Sequence, residues 1–236
     1  MSIPKLFYQS WDEDLPRVVF LKNKNCIPND FIYKRFSLKD IRDYLSDKWP
    51  HVVKLFDDYK LIPHKVDLWR YCILYDTGGI YMDADSILMS SIEPLLTCDF
   101  FFVSNNREEH NIFNGFLGTC PQNPIYYEII QFLLETGPIV KYYFNCKQLY
   151  TIINKLCPLN IDTYNYTIND KKMYILWDKL HGDYRFYPYF NNVAILVETN
   201  PYYPYRKKLN VIKNISTNHT QNGTVDFIQN ASSVVH

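Results

Sequence analysis

The chain contains 236 residues, 47% of them hydrophobic and 21% charged, and this balance predicts a globular protein with one substantial core. Acidic and basic residues number 25 each, so the net charge of zero argues against a nucleic acid partner or broad binding to an anionic membrane. No apolar run reaches the roughly 18 residues of a transmembrane helix, and the chain opens without a signal peptide pattern. We therefore expect a cytoplasmic protein without a transmembrane segment.

Two further features of the composition bear on source and redox state. The many Asn, Lys, Ile and Tyr residues are typical of an AT-rich genome. They suggest a parasite, a symbiont or a large DNA virus as the source, and a viral protein would lie in the host cytoplasm or the virion.

The six cysteines are scattered without a Cys-x-x-Cys pair, so we expect reduced thiols and no zinc site.

Strands and helices are predicted to alternate along the chain. Short β-prone apolar runs predict strands at residues 3–9, 18–21, 31–36, 80–82, 100–104, 113–119, 173–177 and 193–197. Helical spacing predicts helices at residues 38–48, from about residue 52, and at residues 64–77, 124–134 and 148–156. This alternation predicts an α/β fold, a sheet with helices on both faces.

Several helix boundaries have a specific physical reason. Ser37 can cap the free amides of the helix that Pro50 then stops. Pro63 marks a break or a new first turn, and the following helix is apolar nearly all round, so we expect it to be deeply buried. The pair Gly78-Gly79 ends that helix, because glycine adopts left-handed backbone angles without a Cβ penalty.

The composition changes near the carboxyl terminus. We expect a catalytic domain over residues 1–208 and a polar, Asn-rich, weakly ordered tail over residues 209–236. The tail contains Asn-x-Ser/Thr triplets at Asn214, Asn218, Asn222 and Asn230, which an Asn-rich segment also produces by chance.

The motif Tyr81-Met82-Asp83-Ala84-Asp85 places two carboxylates at the end of a predicted strand. Carboxylate oxygens are the ligands that Mg²⁺ and Mn²⁺ prefer, and such a cation can bridge the two phosphates of a nucleotide diphosphate sugar. A strict strand would keep both side chains on one face, whereas a turn would splay them, so that one binds the metal and the other the sugar.

The helix before this motif adds a second charged pair. Asp67 and Arg70 lie at positions i and i+3 and therefore share one helical face. Because the helix is expected to be buried, each charge needs a partner. One interpretation is purely structural: Asp67 and Arg70 satisfy each other as an ion pair, and Asp83 and Asp85 are turn residues. The combination of the pair, the glycine turn and the two carboxylates favours a functional site.

The run from Lys65 to Asp85 resembles the signature of glycosyltransferase family 32: Asp-x-x-Arg-Tyr, then Leu-Tyr, then Gly-Gly-x-Tyr-x-Asp-x-Asp. This family is related to the catalytic domain of the large clostridial glucosylating toxins. The opening Ile3-Pro4-Lys5-Leu6-Phe7-Tyr8-Gln9-Ser10-Trp11 resembles the family's first strand, although Phe7-Tyr8 replaces the common Ile-His. Asn114 and Thr136-Gly137-Pro138 match its middle portion, so the resemblance covers roughly residues 3–140.

This resemblance implies a GT-A-like nucleotide-sugar-binding fold with a mixed, mostly parallel sheet flanked by helices. The implied activity is the transfer of a hexose from a UDP- or GDP-sugar, such as a UDP-hexose or GDP-mannose, to an acceptor hydroxyl, with retention of anomeric configuration. The implied cofactor is Mn²⁺ or Mg²⁺, and the acceptor is a glycan, a lipid or a protein.

The resemblance also implies roles for individual residues. Asp85 would be the direct metal ligand, and Asp83 would contact the ribose or the donor sugar and also the metal through water. Asp67 and Arg70 would bind donor hydroxyls, with Arg70 also near the diphosphate. The nucleobase would stack on Trp11, and Tyr8, Gly79 and Tyr81 would line the same nucleotide pocket. Asn114 would face the reaction centre.

The match fades in the last third of the chain, where relatives complete the metal site with a His- or Trp-bearing segment. The candidates there are Trp177, His181-Gly182-Asp183 and Glu198-Thr199-Asn200. Two alternatives stay open: another magnesium-dependent enzyme acting on phosphates, and an inactive glycosyltransferase-like binding or scaffold protein.

Overall fold

Six α-helices and twelve strands follow one another in the described part of a computed structural model of the chain. The described residues are 2–11, 17–84, 86–105, 110–139, 141–160, 163–177, 179–181, 184–187 and 195–198. The helices are α1 (Arg17–Cys26), α2 (Leu38–Lys48), α3 (Val53–Asp58), α4 (Ile62–Thr77), α5 (Pro124–Thr136) and α6 (Phe144–Leu156). The first six strands are β1 (Leu6–Ser10), β2 (Ile32–Phe36), β3 (Gly79–Met82), β4 (Ser86–Leu88), β5 (Phe100–Asn105) and β6 (Asn111–Ile112). The other six are β7 (Phe116–Thr119), β8 (Asn165–Ile168), β9 (Lys171–Trp177), β10 (Lys179–His181), β11 (Tyr184–Tyr187) and β12 (Leu196–Glu198).

The main sheet has the order β2-β1-β3-β7-β5-β9-β8, and β6 pairs with β5. Its pairings make β1, β2, β3, β5 and β9 run in one direction, while β7, β8 and β6 run in the other. The predicted mixed, mostly parallel sheet is therefore confirmed. A second, antiparallel sheet has the order β10-β11-β12-β4.

The two faces of the main sheet are covered unequally. Side chains from α2 to α6 form one buried cluster with alternate sheet residues such as Tyr81 and Phe102. The other face carries Phe7, Ile80 and Phe101, and it packs against the end of α1, a short 3₁₀ helix (Glu93–Thr97) and the second sheet. Alternation along each strand sends successive side chains to opposite faces, so every strand serves both clusters.

The strand predicted at residues 18–21 is wrong, because these residues lie within α1. Local β propensity suggested a strand, but β1 and β2 are parallel neighbours. A parallel pair cannot be joined by a tight turn and needs a crossover connection, which is usually helical. Here the tertiary requirement overrides the local preference.

The predicted helix boundaries are confirmed where they had a physical reason. Ser37 forms a capping box with Asp40 at the start of α2. Pro63 lies in the first turn of α4, which ends at Gly78 with φ of +62°. A Cβ on Gly78 would lie 2.7 Å from both the nitrogen of Pro121 and the carbonyl oxygen of Thr119, so close packing also requires glycine there.

All six cysteines are free, as expected. No helix in the described part of the chain combines the length and the apolar character that a bilayer span requires. The tail from residue 209 and its four sequons lie outside the described residues, so the domain boundary near residue 208 stays a prediction.

One carboxylate ties α2 to the end of α4. Asp76 accepts hydrogen bonds from the Tyr44 hydroxyl and, at 2.7 Å, from Nε1 of the buried Trp49. Burial and the neighbouring Asp76 carboxylate both raise the pKa of Tyr44, so its hydroxyl stays protonated and donates. Asp76 therefore satisfies two groups that would otherwise lack a partner.

We expect Asp76→Ala to lower the free energy of unfolding by about 2–3 kcal/mol, because it leaves the Tyr44 hydroxyl and the indole N–H of Trp49 without their acceptor. Urea unfolding followed by tryptophan fluorescence measures this loss. Asp43→Ala is the control, since Asp43 pairs with Lys39 on the exposed face of α2 and a change below about 0.5 kcal/mol is expected there. Equal effects of the two substitutions would contradict the prediction.

Candidate active site

The carboxyl ends of the parallel strands β1, β2 and β3 meet at one edge of the main sheet. Trp11 directly follows β1, and its backbone N–H donates to the carbonyl of Phe36 at the end of β2. Asp83 directly follows β3. Because β7 runs the opposite way, its start brings Asn114 and Gly115 to the same edge. Ligand sites in α/β sheets lie at this edge.

Helix α4 brings its charged pair to this edge. It leads directly into β3 through the turn at Gly78, so its first half lies beside the carboxyl end of β3. As predicted, Asp67 and Arg70 are buried on one helical face, with 3.3 Å between a guanidinium nitrogen of Arg70 and Oδ1 of Asp67.

Arg70 does more than pair with Asp67. Its second terminal nitrogen lies 3.2 Å from Oδ1 of Asp83 and 3.0 Å from the hydroxyl of Tyr81, and its first also donates to the carbonyl oxygen of Asn114. Burial acts to lower the pKa of Arg70, but Tyr81 and the two carboxylates raise it above its usual value. Arg70 is thus a buried cation that joins α4, β3 and the start of β7.

Asp83 is fixed by several contacts while its side chain stays partly exposed. The Tyr81 hydroxyl donates to Oδ1 at 2.8 Å, and the backbone N–H of Asp83 donates to the carbonyl of Gly115. Gln9 of β1 donates to the Asp83 carbonyl at 3.3 Å. A Cβ on Gly115 would lie 2.5 Å from Oδ2 of Asp83, so this glycine leaves room for the carboxylate, whose side chain is 32% exposed.

Asn145 contacts the candidate site, although the sequence did not predict it. It is fully buried in the first turn of α6, and its amide donates to Oδ2 of Asp67 at 2.9 Å. Burial raises the pKa of Asp67, whereas Arg70 and the hydrogen bond from Asn145 oppose this shift. The Asp67 carboxylate is therefore held between a cation and an amide.

Several buried polar atoms around Asp67 and Arg70 lack a hydrogen-bond partner of regular geometry among the described residues. The Asn114 amide faces the Tyr71 hydroxyl, yet neither makes a hydrogen bond of regular geometry with any described residue. The same holds for Nε of Arg70 and Oδ1 of Asn145. Buried polar groups are rarely left unsatisfied, so the cluster is suited to a ligand rich in hydroxyl groups or to ordered water.

Of the other residues predicted to contact the nucleotide, Trp11 lies at the site edge, whereas Tyr8 and Gly79 lie in packed positions. The indole Nε1 of Trp11 is buried and without a partner among the described residues. Tyr8 is buried in the core, and its hydroxyl bonds Thr77 at the far end of α4. A Cβ on Gly79 would lie 2.7 Å from the carbonyl oxygen of Leu6, so this glycine permits close packing against β1.

Other predicted residues lie outside the described part of the chain or away from the site. Asp85 lies outside the described residues, as do Gly182-Asp183 and Thr199-Asn200, and the side chain of His181 is not described. Trp177 is buried at the end of β9, where its indole donates to the carbonyl of Thr163.

The carboxylate of Asp83 at this edge is of the kind that binds a divalent cation. Within the described residues no group of three or more metal-binding side chains occurs. Asp83 nevertheless presents a partly exposed carboxylate, and the sequence adds Asp85 two residues later. Mg²⁺ typically uses only one or two carboxylates and completes its shell with phosphate oxygens and water.

Several curated proteins are similar in sequence to this chain. One, 30% identical over 132 residues, is an uncharacterized glycosyltransferase of Acanthamoeba polyphaga mimivirus; the match covers 52% of this chain and 53% of the relative. Inositol phosphoceramide mannosyltransferase 1 of Schizosaccharomyces pombe is 25% identical over 202 residues, covering 77% of this chain and 63% of that protein. The chain thus spans less than two thirds of the length of these curated relatives. Among solved structures, PaToxG glycosyltransferase matches with a TM-score of 0.46 at 12% identity, covering 66% of this chain and 70% of that one.

The family match covers the part of the chain that builds the site edge. Residues 3–102 match the profile described as "Glycosyltransferase sugar-binding region containing DXD motif", and they include β1, α4, β3 and the Asp83-Ala84-Asp85 motif. Residues 3–102 are thus similar to glycosyltransferase sugar-binding regions that contain a DXD motif.

Proposed function

We propose that this protein is a metal-dependent, retaining glycosyltransferase of the GT-A type that moves a hexose from a UDP- or GDP-sugar to an acceptor hydroxyl. The observation that carries the proposal is the contact of one buried cation, Arg70, with both Asp67 and the first aspartate of the DXD motif, Asp83. This arrangement joins the helix and the strand of the family signature at the ligand-binding edge of the sheet. The mannosyltransferases among the relatives support a hexose donor.

The donor is proposed to lie across the carboxyl ends of β1 and β3. Trp11 would stack on the nucleobase, and its buried indole N–H needs an acceptor. Asp67, with the amides of Asn114 and Asn145, would bind sugar hydroxyls. These groups offer both acceptors and donors, which match the alternating polarity of hydroxyl groups.

The diphosphate would lie beside Arg70 and the DXD carboxylates. A divalent cation held by Asp83 and Asp85 would supply charge neutralisation as the diphosphate leaves. The fixed cation of Arg70 adds to this stabilisation, because its position does not have to be reorganised during the reaction.

Transfer replaces one bond at the anomeric carbon. The acceptor oxygen forms a bond to this carbon, the bond to the diphosphate oxygen breaks, and the acceptor proton passes to the departing phosphate. Attack on the face that the diphosphate leaves retains the configuration. No protein base is assigned, and the acceptor (a glycan, a lipid or a protein) is defined by residues outside the family match. Location in the host cytoplasm or a virion follows from the predicted viral source, with which the mimivirus relative agrees.

The proposed donor reaction predicts slow release of nucleotide when the protein is incubated with Mn²⁺ and its sugar donor. We expect release from one member of a panel of UDP-glucose, UDP-galactose, UDP-N-acetylglucosamine and GDP-mannose. Asp83→Asn and Asp85→Asn should each reduce the rate at least about 100-fold, because charge stabilisation at the diphosphate is lost. A coupled assay for free UDP or GDP measures the rate.

The control is Asp57→Asn, since Asp57 forms an exposed pair with Arg42 and its removal should leave the rate unchanged. No hydrolysis of any donor, together with no metal-dependent nucleotide binding, would favour an inactive scaffold. Hydrolysis of nucleoside triphosphates instead of sugar nucleotides would indicate another phosphate-processing enzyme.

Asn145 provides a second test of the same site. Asn145→Ala removes the hydrogen bond to the buried Asp67 carboxylate, and bonds to charged groups contribute about 1.5–3 kcal/mol. We expect kcat/KM for donor hydrolysis to fall about 10- to 100-fold. Asn145→Asp should lower it further, because a second carboxyl group would then face Asp67.

Lys147→Ala is the matched control, since this residue lies on the exposed face of the same helix. Circular dichroism and thermal unfolding show whether each variant is folded. An unchanged kcat/KM in folded Asn145→Ala would exclude Asn145 from the site.

A further inference from the structure

Two exposed tyrosines lie side by side at the start of α6. Tyr142 is 50% exposed and Tyr143 is 48% exposed, and their ring centroids are 5.0 Å apart in an edge-to-face arrangement. A single exposed aromatic residue needs no explanation. Two adjacent exposed rings form an apolar patch that also carries two hydroxyl groups, and aromatic patches of this kind occur in binding sites.

The segment that carries the two tyrosines is attached to α4 at both ends. His64 is fully buried, and its Nδ1 lies 3.0 Å from the carbonyl oxygen of Ile139, while its Nε2 lies 3.2 Å from that of Tyr142. On the other side of the tyrosines, Asn145 binds Asp67. The rings are therefore exposed, but the backbone beneath them is held by buried contacts to the helix that carries the site.

These attachments bring the backbone of the tyrosines near the Asp67 carboxylate. The Cα of Tyr143 lies within about 7.6 Å of that of Asn145, because only two peptide units separate them. Burial raises the pKa of Tyr142 to about 12, and the carboxylates of Asp83 and Asp67 contribute to the shift.

The tyrosines and Trp11 lie on opposite sides of Asp83. In the sheet order, β1 and its following Trp11 lie on one side of β3, whereas β7 and β5 lie on the other. Helix α6 packs on β6, which pairs with β5. Among the described residues, a nucleotide that extends from Asp83 towards Trp11 therefore leaves the side of Tyr142 and Tyr143 for a second substrate.

We propose that Tyr142 and Tyr143 form the acceptor subsite and that the acceptor group bound there is a pyranose ring. The carbon-bound hydrogens of a pyranose make an apolar face that stacks on aromatic rings, while its rim of hydroxyl groups can bond the tyrosine hydroxyls. This inference rests on the proposed transferase function, and it narrows the acceptor to a molecule with a sugar unit at the reacting end.

The test uses the methyl glycosides of mannose, glucose and galactose as probes, with saturation-transfer NMR on the full chain in the presence of diamagnetic Mg²⁺ and UDP or GDP. We expect at least one glycoside to receive saturation on its ring hydrogens. Tyr142→Ala and Tyr143→Ala should each weaken its binding about three- to tenfold, as expected for loss of one aromatic contact. Tyr142→Phe and Tyr143→Phe keep the ring and should retain most of the signal.

Tyr127→Ala is the control, because Tyr127 is also exposed but lies on α5 against Tyr75. Metal-dependent nucleotide affinity, measured separately by calorimetry, distinguishes this inference from the proposed function. Nucleotide binding without glycoside binding, or glycoside binding that the alanine variants leave intact, would overturn the acceptor subsite alone. Loss of nucleotide affinity in the alanine variants would overturn it by assigning the tyrosines to the nucleobase.

Discussion

The buried guanidinium of Arg70 is the charge on which the rest of the site depends. A buried cation is tolerated only when it is paired and hydrogen-bonded, and removal of one partner from such a pair costs about 3–5 kcal/mol. Arg70 is 4% exposed, and it contacts Asp67 on its own helix and Asp83 after the next strand. The same contacts that satisfy the charge therefore fix the geometry of the two carboxylates, and under the proposed function stability and activity are coupled at this residue.

The path of the chain explains how these residues meet. From Arg70 to the end of α4 at Thr77 the helix rises about 10 Å, and from Gly79 to Asp83 the strand returns about 13 Å. Because the turn at Gly78 reverses the chain, these two similar lengths bring Asp83 back to the level of Arg70. The long arginine side chain spans the remaining distance between the helix and the strand. A residue inserted on either side of the turn would rotate or shift one partner away from the other.

Much of this unit was predictable from the sequence because its determinants are local. The proline at the start of α4, the glycine at its end and the i, i+3 spacing of Asp67 and Arg70 act within a few residues. The prediction of a strand at residues 18–21 was wrong because the determinant is not local. These residues form α1, which follows from the parallel pairing of β1 with β2, and a local pattern contains no information about that pairing.

The absence of Asn145 from the predicted site has a more specific cause. The helix was expected to begin at Gln148, whereas α6 begins one turn earlier at Phe144. Leu149 and Ile152 are buried on α6, and counting back four residues from Leu149 reaches Asn145, which lies on the same stripe. A polar side chain on a buried stripe requires a partner, as do Asp67 and Arg70 on α4. The apolar periodicity of a helix therefore also identifies site residues: they are the polar side chains at positions that the pattern assigns to the core.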